Sequence, residues 1–204
     1  MIAIVDYGLG NVQAIANIYK RLNLPCRLAR QSSDLADAAH IVLPGVGAFD
    51  WAMTKLNESG MREALDDAVL NHKKPVLGIC VGMQMLARRS DEGSASGLGW
   101  LKAEVKHLDQ GPADNPRQLP HMGWNDVKPL STQGLFAGFD EVPRFYFLHS
   151  YYFAPDNPAD TLAESDYGSP FTCAVRSGHI HGVQFHPEKS HAWGIQLLKN
   201  FADL

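Results

Sequence analysis

Cys80 stands between glycines in the run Gly78-Ile79-Cys80-Val81-Gly82. Small residues two places before and after are what a very tight strand-to-helix turn demands. Such a turn lifts the side chain at its tip above the carboxyl edge of a sheet, where α/β folds place their sites. The first amides of the helix point at the same spot and favour thiolate over thiol. Among them, the amide of Val81 is placed to stabilise an oxyanion. A thiolate attacking an amide also needs a group to protonate what leaves. Of nine histidines, His186 follows the apolar run Val183-Gln184-Phe185 and precedes Pro187-Glu188. A carboxylate two residues on can fix the ring, and Pro187 stiffens the link. The residues thus suggest a nucleophile, a base that later acts as acid, and an orienting carboxylate. The plainer alternatives are a packed cysteine at a strand end and a glutamate that merely opens the last helix. His40, His72, His107, His179, His181 and His191 lie in polar surroundings that suggest surface or strand-edge roles. Cys26 and Cys173 sit in or beside apolar runs and read as packing residues.

These side chains need a scaffold. Residues 2–5 form a short continuous apolar run ending at a glycine-rich turn, which predicts a buried parallel strand. Asn11 can cap a helix over the next segment, where Val12, Ile15, Ala16, Tyr19 and Leu22 fall at helical spacing. Residues 25–29 and 41–43 predict further strands, the latter closed by Pro44-Gly45. A helix is expected over 61–72, a strand over 75–79 and a helix over 81–89. Strand, helix, strand implies an α/β fold, a doubly wound and mostly parallel central sheet with helices on both faces. The second half predicts strands at 100–108, 122–128, 144–149, 171–176 and 179–185. Residues 109–120 read as an exposed loop, and a last helix starts near Ser190.

Composition narrows the classes. A chain of 204 residues with 45% hydrophobic and 20% charged residues suits one globular domain spanning 1–204. A formal net charge of -4 and no basic stripe argue against nucleic acid as the main ligand. No apolar run approaches the ~20 residues of a membrane span, and the first residues do not form a signal peptide. Three widely spaced cysteines make no disulfide framework, which points to a reducing, cytoplasmic setting. No His/Cys/Asp cluster has zinc spacing, so neither metal nor organic cofactor is expected.

Taken with Met83-Gln84 and Phe185-His186-Pro187-Glu188, the Cys80 segment resembles the class I glutamine amidotransferases over nearly the whole chain. Further segments resemble one branch of that family, the glutaminase subunits serving imidazole glycerol phosphate synthase. They are Asp6-Tyr7-Gly8-Leu9-Gly10-Asn11, Pro44-Gly45-Val46-Gly47-Ala48-Phe49, Pro120-His121-Met122-Gly123-Trp124-Asn125 and Pro187-Glu188-Lys189-Ser190. The resemblance implies Cys80 as nucleophile, His186 as base and then acid, and Glu188 as orienter. It implies that Val46, after a peptide flip, supplies the second oxyanion amide beside that of Val81. Glutamine would be met by Gly47, Gln84, Glu92 and backbone groups of Ser150 and Tyr151. Met122, Trp124, Asn125 and Lys189 would face a (β/α)8-barrel cyclase subunit in a heterodimer. Without the resemblance, Gln84 and Glu92 are ordinary polar residues and Trp124 an ordinary core residue. The rival readings are another amidotransferase subunit feeding a different acceptor, a thiol hydrolase of similar fold, and a binding subunit that kept the fold. Position 81 usually holds leucine in the family and is valine here, which matters little to a backbone amide.

Overall fold

The computed structural model describes residues 1–114 and 116–204. The loop expected over 109–120 is exposed or half-buried where described, and its residue 115 lies outside the described residues. The elements in chain order are β1 (Ile2–Val5), α1 (Val12–Arg21), β2 (Cys26–Ala29), β3 (His40–Gly45), α2 (Phe49–Glu58), α3 (Arg62–Asp66), β4 (Val76–Cys80) and α4 (Val81–Gln84). The second half carries β5 (Arg89–Ser90), β6 (Ala103–His107), β7 (His121–Asp126), β8 (Lys128–Pro129), β9 (Arg144–His149), β10 (Tyr151–Pro155), β11 (Thr161–Asp166), β12 (Pro170–Ser177), β13 (Ile180–Val183) and α5 (His191–Ala202).

The main sheet has eight strands in the order β2-β1-β3-β4-β13-β12-β11-β8. From β2 to β13 every pairing is parallel, and from β13 to β8 every pairing is antiparallel. β1, β4 and β13 are buried along their whole length, as strands covered on both faces must be. The chain winds from β1 outward to β2, then back past β1 to β3 and β4. With right-handed crossovers that reversal places α1 and the α2–α3 pair on opposite faces. α1 buries Ile15, Ala16 and Tyr19 and packs beside α5. This is the doubly wound α/β architecture with a mostly parallel sheet.

The order also brings the chemistry together. β3, β4 and β13 are neighbours, so residues just past their carboxyl ends share one edge. Those residues are Val46, Cys80 and His186. Two small sheets flank this edge, β10-β6-β5 and β7-β9.

Several expectations need correction. Asn11 precedes α1 but makes no side-chain capping bond. The helix over 61–72 is α3 running on into a wider π-type turn at Asp67–Asn71. The helix expected over 81–89 stops after one turn. Amides of a crossing loop take its next carbonyls: Leu98 bonds Met85, Leu101 bonds Leu86, Gly99 bonds Ala87 and Gly97 bonds Arg88, all at 2.8–3.0 Å. The strand expected over 122–128 divides between β7, paired with β9, and β8 at the edge of the main sheet. α2, β5, β10 and β11 are absent from the sequence reading. His181 is a core residue of β13, not a surface one, and burial pushes its pKa down to about 4.

Gly82 shows how tight the turn after β4 is. A Cβ there would lie 1.9 Å from the Leu43 carbonyl oxygen of β3. Gly82→Ala is therefore expected to destabilise the fold by about 2–3 kcal/mol. Urea unfolding would show this as a lower midpoint, and an unchanged midpoint would contradict the packing. Among the described residues, no helix is long and apolar enough to cross a membrane.

Candidate active site

Cys80 ends β4 and begins α4 with φ 55° and ψ -116°. Side chains rarely adopt such a backbone, and the strain is held by the close packing of Gly82 beneath it. The thiol is thereby turned out of the sheet into a cleft of about 330 Å³, a size suited to a small molecule. The same turn leaves the Val81 amide at the first position of the helix, where it has no partner within the helix.

His186 lies beyond β13. Its amide donates to the Tyr146 carbonyl at 2.8 Å, and its carbonyl accepts from the Ser190 hydroxyl at 2.6 Å. Ser190 Oγ also accepts from the Tyr146 amide at 3.0 Å, so the backbone of His186 is pinned to β9. Its Nδ1 donates to Glu188 Oε1 at 2.9 Å, and both side chains are almost wholly enclosed, 4% and 3% exposed. Burial opposes a charge on this ring. Interaction with the Cys80 and Glu188 side chains outweighs it and lifts the pKa of His186 to about 10. The ring therefore carries its proton at neutral pH, as a donor to a departing group must.

Val46, Gly47, Val81, Gln84, Glu92, Ser150, Tyr151 and Lys189 all line the same cleft with Cys80 and His186. Gly47 has φ +84°, a backbone that frees the turn after β3. Gln84 is buried, not an exposed helix polar. Its amide nitrogen donates to the Tyr151 carbonyl at 3.2 Å and to Gln184 Oε1 at 3.1 Å. Glu92 Oε2 accepts from the Phe49 amide at 2.9 Å, so this carboxylate both reaches the cleft and caps α2. Met122, Trp124 and Asn125 stand outside the cleft on β7. Met122 and Trp124 are 65% and 41% exposed, and Trp124 stacks on His191 at 5.4 Å. Asn125 is half-buried and bonds its own chain, at the Asp166 carbonyl and His121.

Four residues to which the sequence reading gave no role belong here. Gln184 Nε2 reaches Cys80 Sγ at 3.8 Å. Tyr7 donates to the Pro44 carbonyl at 2.8 Å and so anchors β3 just before Val46. Asp50 holds the loop that carries Glu92, accepting from the amides of Ser94 and Ala95 at 2.9 and 3.0 Å. Those amide bonds hold its carboxyl below the usual range. His149 lines the cleft beside Tyr151. Of the four, Tyr7 alone lies in one of the segments that carry the family resemblance. Among the described residues, no group of three or more His, Cys, Asp or Glu side chains could hold a metal ion.

A thiol at a strained strand–helix turn faces an enclosed His–Glu pair in a small-molecule cleft. The family model described as glutamine amidotransferase class-I matches residues 3–203. The chain belongs to the class-I glutamine amidotransferases. It is 57% identical over 204 residues to a protein of Bdellovibrio bacteriovorus named imidazole glycerol phosphate synthase subunit HisH, with 100% of both chains covered. The protein of that name from Leptospira interrogans is 48% identical, again with 100% of both covered. A crystal structure described as a glutamine amidotransferase superposes with a TM-score of 0.76 at 18% identity, covering 99% of this chain and 97% of that one. A putative GMP synthase component from Thermoplasma acidophilum gives 0.72 at 22% identity, covering 99% and 92%. These two share the fold of this chain over nearly its whole length.

Proposed function

We propose that this class-I glutamine amidotransferase hydrolyses glutamine and delivers the ammonia to a (β/α)8-barrel cyclase subunit in a heterodimer. The cyclase uses it to make imidazole glycerol phosphate and aminoimidazole carboxamide ribonucleotide in histidine biosynthesis. The observation that carries the chemistry is the Cys80 side chain facing a His186 whose Nδ1 is held by Glu188 at 2.9 Å. The relatives named imidazole glycerol phosphate synthase subunit HisH support the pathway.

Cys80 attacks the carboxamide carbon of glutamine, and the amides of Val81 and Val46 hold the oxyanion. The C–N bond then breaks, and His186 gives its proton to the leaving nitrogen, releasing ammonia. His186, now neutral, takes a proton from water, whose oxygen attacks the thioester carbon. The C–S bond breaks, glutamate leaves, and the Cys80–His186 pair is restored. Gln84, Glu92, Gly47 and the backbone of Ser150 and Tyr151 hold the substrate. Met122 and Trp124 form an apolar anchor on β7, with Lys189 at the cleft and Asn125 behind it, and these face the cyclase.

The amide of Val46 is the mobile part of this machinery. Tyr7 fixes the Pro44 carbonyl, so a peptide flip is confined to the residues after it, where Gly47 is permissive. Val46→Pro removes that amide and is expected to lower partner-stimulated glutaminase about 10²–10³-fold. Binding to the cyclase should persist. Retained stimulation would rule the amide out.

Glutamate release tests the whole reading. The chain is assayed with glutamine alone, then with the cyclase and its nucleotide substrate. Strong release in the full mixture is expected. Equal release with and without the cyclase would keep the Cys80 chemistry and remove the pathway. No release in any mixture would remove both.

A further inference from the structure

His121 and His149 face each other where β7 pairs with β9, and both rings are buried. His149 Nδ1 lies 2.8 Å from the Tyr151 carbonyl. Its Nε2 lies 3.0 Å from His121 Nδ1. On the far side, His121 Nε2 lies 3.2 Å from the Asn125 amide nitrogen. Burial pushes His149 down to about 3 and His121 down to about 4, so both rings are neutral at neutral pH.

Only one placement of protons satisfies these contacts. A carbonyl can only accept, so His149 carries its proton on Nδ1. Its Nε2 must then accept, and His121 donates to it from Nδ1. That leaves His121 Nε2 to accept from Asn125. The Asn125 amide has a second hydrogen for the Asp166 carbonyl at 2.8 Å. His121 is also stacked between Phe147 at 4.8 Å and Tyr167 at 4.2 Å, which prevents the ring from tilting.

The path continues into the cleft. The Tyr151 carbonyl accepts from both His149 and Gln84. Gln84 donates on to Gln184, and Gln184 donates to the Cys80 sulfur. Donors and acceptors therefore alternate without conflict from Asn125 on β7 to the nucleophile.

We propose that His149 and His121 are positioning residues that tie the Tyr151 carbonyl, and with it the cleft wall that holds glutamine, to strand β7. They touch no reacting atom. A partner that docks on Met122 and Trp124 loads the strand whose inward-facing histidine sets that wall. The inference rests on the glutaminase reading of the same cleft.

Two variants of one residue separate the links. In His149→Asn, the amide nitrogen falls near the old Nδ1, so the donor to Tyr151 is kept. In His149→Gln, the amide falls near the old Nε2, so the contact to His121 is kept and the donor to Tyr151 is lost. Glutamine KM and kcat are measured in the full complex with the cyclase and its nucleotide. Both changes break the tie to β7. His149→Gln, which takes the histidine donor from the buried Tyr151 carbonyl, is expected to raise KM roughly tenfold, and His149→Asn, which loses the link to His121, about threefold. A wild-type KM in His149→Asn would overturn the tie to β7. Long-range proton–nitrogen NMR of the wild-type chain should show both rings protonated at Nδ1 and bare at Nε2. A proton on Nε2 of either ring, equal KM values in the two variants, or a change in kcat alone would overturn the proposal. No glutamate release by the wild-type complex would overturn the glutaminase reading, and the role proposed for the pair with it.

Discussion

Cys80→Ala is expected to lower glutamine-dependent activity by about 10⁴-fold or more while leaving the complex with the cyclase intact. No other thiol can stand in for it. Cys173 is buried in β12, and burial pushes its thiol well up. Cys26 bonds the Ala16 carbonyl at 3.7 Å beneath α1, and partial burial raises its thiol too. Only Cys80 opens onto the cleft that holds His186. An electrophilic glutamine analogue should therefore form one adduct, at Cys80, located by peptide mass spectrometry. The deletion removes the covalent route, not the proposed interface, because Cys80 lines the cleft and Met122 and Trp124 are exposed on β7 outside it. Substantial activity in the alanine variant, or an adduct at Cys26 or Cys173, would place the nucleophile elsewhere.

The legible parts of this site share one property, which is that their signals are local. The glycines around Cys80 announce a tight turn within five residues. His186 and Glu188 lie two residues apart, so one short segment carries both the proposed base and its proposed orienter. α2 shows the opposite case. Phe49, Ala52, Met53 and Leu56 have helical spacing and are all buried, yet no side chain caps the helix locally. Its first amide is satisfied by Glu92, 43 residues away, and no local rule can see that carboxylate. The over-long helix after Cys80 fails for the same reason. Its later carbonyls are claimed by amides of residues 97–101, and tertiary competition overrides propensity. Gln184, His149 and Ser190 escape notice because each acts across strands that only the fold brings together. A glutamine or a histidine in an apolar run, or a serine just before a helix, carries no mark of its distant partner. His181 misleads in the other direction. Gly178, His179 and Gly182 lie near it, but its strand runs through the middle of the main sheet.

Glu188→Gln is expected to lower kcat by roughly 10²-fold or more, up to the ~10⁴-fold loss that follows when an orienting carboxylate in a triad becomes an amide. The carboxylate is enclosed and faces His186 Nδ1 at 2.9 Å. An amide oxygen can still accept that bond, but without the charge that helps the ring hold its proton. The amide nitrogen would take the place of Glu188 Oε2, which is buried and has no partner among the described residues. The same substitution should change how stability depends on pH. The pKa of His186 is raised from 6.5 to about 10, so the protonated ring stabilises the fold. A raised pKa contributes stability that is fully present below the unfolded value and is lost as pH rises through the folded one. Wild-type stability from this source therefore declines between about pH 6.5 and 10. In Glu188→Gln the folded pKa falls, and part of that contribution goes with it. The stability gap between wild type and variant should be widest near pH 6 and should close toward pH 10. Urea midpoints across that range measure it. A gap that does not vary with pH would mean that Glu188 acts by packing and not by charge. In that case the proton on His186 would owe its place to Cys80 alone.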